Sequence, residues 1–119
     1  MALYPSLPMG GSMSSFTIPR IESSAAFESV SNHGDIYIYS GATNGLKKIR
    51  IGKFEATGIN SAGTILMSNW SQVSYKSGTY STPYEIDVSN YSNIQIAVQV
   101  FGTVGASYNI KLSNIEFIY

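Results

Sequence analysis

The run NIQIAVQVF at residues 93–101 carries an aliphatic side chain at every second position: Ile94, Ile96, Val98 and Val100. A period of two is that of an extended strand, so these four share one face while Gln95, Ala97 and Gln99 share the other, giving a strand with one dry side. The same alternation recurs along the chain. Ile36 and Ile38 alternate with Tyr37 and Tyr39, Ile49 and Ile51 with Lys48, Arg50 and Gly52, and Tyr108, Ile110 and Leu112 with Asn109, Lys111 and Ser113. Asn114 then shifts the phase before Ile115, Phe117 and Tyr119 continue it, and a bulge at Ser113–Asn114 would accommodate that shift. No apolar run keeps a 3.6-residue period long enough to specify a helix.

From residue 16 onward, short runs of Val, Ile, Tyr, Phe and Thr are broken by Gly, Asn and Ser every ~8–12 residues, which is the pattern of an all-β domain. The spacing predicts strands at 15–20, 25–30, 35–40, 46–57, 63–69, 71–76, 83–88, 93–101 and 106–118, with ESSAAFES at 22–29 as an alternative helical turn. Eight or nine half-buried strands joined by loops such as GATNGL, INSAGT and FGTVGAS describe a two-sheet antiparallel sandwich, and among sandwiches the strand count suits a jelly roll. An immunoglobulin-like sandwich is the alternative, but a chain with no cysteine cannot carry its disulfide. A length of 119 residues allows one domain, at 16–119, preceded by an arm at 1–15 that is rich in Pro and Gly and has neither period.

Seven basic and seven acidic residues cancel, and they form no long basic face of the kind that releases counterions from nucleic acid, so nucleic acid is not an expected partner. Charged residues are only 12% of the chain, about half the usual share, so Ser, Thr, Asn, Gly and Tyr must make the surface, which suits contact better than solvation. The absence of cysteine also removes thiolate metal sites. MALYPSLPMGGSMSSF lacks the basic start and apolar run of a secretory signal, and no segment approaches the ~18 apolar residues of a membrane span. The expectation is a complete soluble chain made in the cytoplasm, without membrane insertion.

Ile86, Asp87, Val88, Ser89 and Tyr91 form a corner that leads into the alternating strand at 94–100, followed by a Gly-containing loop and by Leu112, Ser113, Asn114 and Ile115. This third of the chain resembles the closing part of jelly-roll carbohydrate-binding modules and galactose-binding-like domains, in which an I-D-L-S-x-Y corner and an I-D-N-I ending hold those places. Ser113 stands where those families often carry Asp, so the resemblance brings over no carboxylate there. Similar small sandwiches occur in bacteriophage virion proteins, as decoration proteins, head fibres and tail tips, which this cysteine-free, Ser/Asn/Gly/Tyr-rich chain resembles in composition. The resemblance implies a virion structural protein assembled in the host cytoplasm, whose partners are other virion subunits and itself as a homo-oligomer, or alternatively a module that binds a host-surface glycan.

Neither a catalytic residue nor a cofactor or metal site is expected. His33, the single histidine, sits in a turn-like SNHGD with Asp35 two residues on. Glu85 and Asp87 lie ~6.5 Å apart on one strand face, within the range of a glycosidase pair, although such spacing is equally that of a solvent-facing strand. LKKIRIGK at 46–53 gathers four of the seven basic residues, either as a surface for an acidic partner or as a charged strand guarding a sheet edge. Nine tyrosines and Trp70 remain. Tyr37, Tyr39, Tyr75, Tyr80 and Tyr84 fall at outward strand positions or in loops, and with Trp70 they are the candidate glycan or partner contacts, since such rings offer an apolar face and a polar edge. Leu3, Tyr4, Leu7 and Met9 are the candidate assembly contacts of the arm, whose alternative is a frayed terminus.

Overall fold

The structure is a computed structural model that describes residues 15–28 and 33–119, so the arm contacts Leu3, Tyr4, Leu7 and Met9 lie outside the described residues. Eight strands follow in order: β1 (Phe16–Ala26), β2 (His33–Ala42), β3 (Lys48–Thr57), β4 (Ser61–Ser68), β5 (Ser71–Ser77), β6 (Tyr84–Asp87), β7 (Asn93–Phe101) and β8 (Ser107–Ile118). β1 pairs with β8, β2 with β7, β3 with β6 and β4 with β5, all antiparallel. The first four strands are thus matched to the last four in reverse, as in one long hairpin. Rolling that hairpin up adds the contacts β3·β8 and β4·β7 and gives two sheets, β1-β8-β3-β6 and β2-β7-β4-β5. This is the jelly-roll sandwich that the strand count predicts.

The inner faces meet in one core. Ile49, Ile51, Phe54, Ile110, Leu112 and Phe117 come from the first sheet, and Ile36, Leu66, Ile94, Ile96, Val98 and Val100 from the second, each fully or nearly fully buried. Phe16 stacks on Phe117 at 4.7 Å and closes one end.

Four expectations are corrected. Phe16–Ala26 form one strand, β1, where the spacing predicts separate strands at 15–20 and 25–30 or a helical turn at 22–29, residues 29 and 30 lying outside the described residues. The small residues of SSAA have little strand preference, but an unbroken register with β8 from Ile21↔Leu112 to Ala26↔Ser107 supplies the backbone bonds that decide the matter. Pro19 is tolerated because β1 is an edge strand. Second, β7 is dry on both sides: Gln95 and Ala97, on its outer face, are 3% and 1% exposed. Third, the register of β2 on β7 shifts between Tyr37 and Tyr39. The extra residue, Ile38, returns the next side chain to the inner face, so Tyr39 is buried against Phe117 at 4.8 Å and does not face outward.

The fourth concerns Ser113–Asn114. The phase does change there, and Asn114 is left-handed with φ 54°, yet β8 keeps constant register with both neighbours. β1 and β3 change phase at the same level: inward positions pass from the half-buried Ile18 to Ile21 across Pro19, and from Ile51 to Phe54 across Gly52. Three strands therefore switch faces together, and no residue is left over. Gly52 leaves room at the centre, where a Cβ would lie a tight 3.0 Å from Asn114 Cβ and 3.1 Å from the Ser113 carbonyl oxygen.

Candidate functional site

The outer faces of the two sheets differ in chemistry. On the first sheet, alternation sends the charged residues of β3, β6 and β8 outward, where register makes them neighbours: Lys48 lies opposite Asp87, and Arg50 opposite both Glu85 and Glu116. Arg50 donates to Glu85 from Nη2 at 2.6 Å and from Nε at 3.1 Å, Lys48 Nζ lies 3.2 Å from Glu85 Oε1, and Glu55 receives Lys53 and Lys111 at 3.6 and 3.5 Å. Within the basic stretch 46–53, Lys48, Arg50 and Lys53 accordingly lie on β3 and are paired within the chain. Over residues 48–51 the stretch guards no edge, since there β3 lies between β8 and β6.

Those pairs also fix the chemistry of the two carboxylates. The bonds from Arg50 and Lys48 hold the Glu85 carboxyl below its ordinary range, and the Ser89 hydroxyl and N–H, donating to Asp87 Oδ1 at 2.6 and 2.9 Å, do the same for Asp87. A glycosidase acid needs the opposite shift.

The outer face of the second sheet is almost uncharged. Register aligns Tyr37, Ala97, Ile65 and Tyr75 in one row across β2, β7, β4 and β5, a span of ~14 Å at the usual strand spacing. Next to this row Ser40, Gln95, Met67 and Gln72 form a second, and on its other side Asp35, Gln99, Gly63 and Ser77 form a third. Tyr75 lies across Gly63, whose missing side chain leaves room for the ring: a Cβ there would overlap it.

Trp70 is brought onto this face by the two-residue hairpin between β4 and β5. Asn69 and Trp70 have φ of 49° and 62°, the left-handed pair of a type I′ turn, in which the second place normally belongs to Gly. Side chains of β7 hold the turn down. Asn69 N–H donates to Asn93 Oδ1 and Trp70 N–H to Gln95 Oε1, both at 2.9 Å; Asn93 Nδ2 donates to Asn69 Oδ1 at 2.7 Å and Gln95 Nε2 to Asn93 Oδ1 at 2.8 Å. The ring meets Tyr37 edge to face at 5.6 Å and 79° and is still 60% exposed.

Of the six aromatic candidates, Trp70, Tyr37 and Tyr75 therefore share one face. Tyr39 is in the core, where burial and the neighbouring Tyr119 push its phenol up. Tyr80 and Tyr84 lie at the opposite seam of the sandwich, under Lys76, whose Nζ is 5.4 and 5.7 Å from their ring centroids. Their hydroxyls meet Thr64 Oγ1 at 3.2 Å and Ser74 Oγ respectively, and burial pushes the Tyr80 phenol up to about 12. Tyr80 also lines an open groove of about 400 Å³ with Lys53, Glu55, Thr57, Thr79 and Ser81, formed where β6 stops short of the upper half of β3. His33 stacks on Phe101 at 4.7 Å and its Nε2 is 3.0 Å from Asp35 Oδ1, at the end of the uncharged face.

Sequence reasoning missed Asn69, Asn93 and Gln95, which fix Trp70. The available signal is SNWS between two strand runs, a two-residue hairpin with Asn in first place. Among the described residues no group of three or more His, Asp or Glu is placed to hold a metal, and no helix is long and apolar enough to cross a membrane. Comparison of the chain with protein-family models, curated proteins and solved structures finds no match.

Proposed function

We propose that this chain is a non-enzymatic binding module that takes a neutral glycan on the outer face of its second sheet. One observation carries the reading: Trp70, the only tryptophan, is 60% exposed while held at φ 62°. A left-handed backbone at a bulky residue costs ~1–2 kcal/mol, and an exposed indole gives up burial as well. A fold that keeps both at one place presents the ring to something. Trp70, Tyr37 and Tyr75 stack on the apolar faces of sugar rings, and Gln99 and Gln72 supply hydrogen bonds to hydroxyls. The lack of unpaired cations or anions along the Tyr37–Tyr75 row favours an uncharged ligand over an acidic or basic one.

The setting proposed from composition is a bacteriophage virion, as a decoration, fibre or tail-tip component; jelly rolls serve both capsid and lectin roles, an analogy of fold alone. A virion component of this kind is an adhesin, and its assembly contacts are sought in Leu3, Tyr4, Leu7 and Met9. Glycan-array binding by the native chain, lost in Trp70→Ala, is the expected result. Array silence for a folded chain that still incorporates into particles, with incorporation abolished by deleting residues 1–15, would replace this reading with pure assembly.

A further inference from the structure

The four sheet edges are not equally protected against pairing with another chain. β6 has four residues, β5 carries a register shift and the inward-pointing Lys76, and β2 is bulged at Ile38. These are the devices that blunt an edge. β1 keeps a constant register over residues 20–26, where Arg20 and Glu22 are its only charges, and among the described residues no strand lies on its far side. Glu22, Ser24, Ala25 and Ala26 are exposed there.

Which backbone groups face outward follows from the ladder. Phe27 N–H donates to the Ala106 carbonyl at 2.9 Å, continuing the register of β1 on β8. Bonding direction alternates along an antiparallel strand, so Ala25, Ser23 and Ile21 also address β8. Arg20, Glu22, Ser24 and Ala26 turn their N–H and C=O groups to the open side.

We propose that two copies of the chain pair through this edge, antiparallel about a two-fold axis, with Glu22 opposite Ser24 and Arg20 opposite Ala26 of the second copy. This register uses all four outward residues of each strand, for about eight hydrogen bonds. Sliding it by one bonded pair toward the N-terminus sets Glu22 against its own symmetry mate and runs past Pro19. Sliding it the other way brings in Glu28, beyond the point where Phe27 leaves the strand. The product is a continuous eight-stranded sheet with an isologous interface. An axis perpendicular to that sheet leaves both second sheets on one side, so the two Trp70 faces point the same way. On the glycan reading, and only there, this makes the dimer bivalent; the pairing itself rests on the β1 edge.

Sedimentation equilibrium of the full chain tests the pairing without any ligand. The expected native particle has twice the 12.9 kDa chain mass. Ser24→Pro removes an outward N–H and no backbone bond to β8, losing on that side only the bond that Asn109 Nδ2 donates to Ser24 Oγ at 2.6 Å, so it should give a monomer with native circular dichroism. Ser24→Glu sets a carboxylate opposite Glu22 at two places and should weaken association on the order of tenfold, and adding Glu22→Lys should restore it. If Ser24→Pro fails to fold, the charge swap decides. A monomeric native chain, or a dimer indifferent to Ser24→Glu, overturns the proposal.

Discussion

Replacing Trp70 separates what the residue does for folding from what it does for binding, because two substitutions remove the ring and only one relieves the backbone. Two-fifths of the indole is covered. Aromatic side chains bury up to ~250 Å² when enclosed, so ~100 Å² is at stake, about 2.5 kcal/mol at ~25 cal/mol per Å². The edge contact with Tyr37 adds about 1 kcal/mol. Trp70→Ala should thus destabilise the fold by about 3.5 kcal/mol, with the left-handed strain retained because Ala keeps its Cβ. Trp70→Gly loses the same contacts but recovers ~1–2 kcal/mol of strain, against ~0.5–1 kcal/mol for glycine's freedom in the unfolded chain. Gly should be the more stable of the two by about 0.5–1 kcal/mol, an inversion of the ordinary order in regular structure. Urea unfolding at constant slope measures the gap, which corresponds to ~4 °C in Tm. Glycan binding should be lost in both. If Ala equals or exceeds Gly in stability, Trp70 is not held in the left-handed region and the argument from strain fails.

Gly58 has φ 75°, and a Cβ there would run into the Ser107 carbonyl oxygen, whereas Gly45, with φ 88°, has nothing within 4 Å of that position. Gly58→Ala should cost about 3 kcal/mol and Gly45→Ala about 1–2 kcal/mol by denaturant titration; equal costs would show that the overlap relaxes freely. Because Arg50 and Lys48 depress the Glu85 pKa in the folded chain, their contribution to stability is present above the unfolded value of ~4.3 and is lost as pH falls through the lower folded value. The urea midpoint should therefore decline in acid, and less steeply in Glu85→Gln; identical slopes would remove the ion pair from the account.

Period two was enough to place most strands and the inner wall Ile94–Val100, because alternation is a local consequence of the pleat. What it could not reveal is non-local. The text of 36–39 alternates without fault, and only the pairing with β7 shows that Ile38 is supernumerary and Tyr39 interior. Gln95 and Ala97 read as a wet face since nothing near them in sequence announces that a turn from 69–70 and the ring of Tyr37 will cover them. The phase change at Asn114 is visible in β8, but that β1 and β3 shift with it depends on Pro19 and Gly52 meeting it at one level. Trp70 could be singled out by its chemistry, whereas its company on the face could not. Tyr37 and Tyr75 join it through three strand pairings, while Tyr80 and Tyr84, equally aromatic, face the seam.

The reverse matching of strands also orders events in time. β4 and β5 are joined by two residues and pair locally, whereas β3·β6, β2·β7 and β1·β8 span successively longer stretches of chain. Each closure shortens the loop left for the next, so the cheapest route zips outward from the β4–β5 hairpin. Trp70 sits at its tip, and a turn with a strained backbone is a slow place to begin. Trp70→Gly should accordingly raise the refolding rate measured by stopped flow even as it lowers equilibrium stability, and a slower refolding limb would move the nucleus elsewhere. The residue that arms the binding face would then delay the folding of the barrel-like roll that carries it.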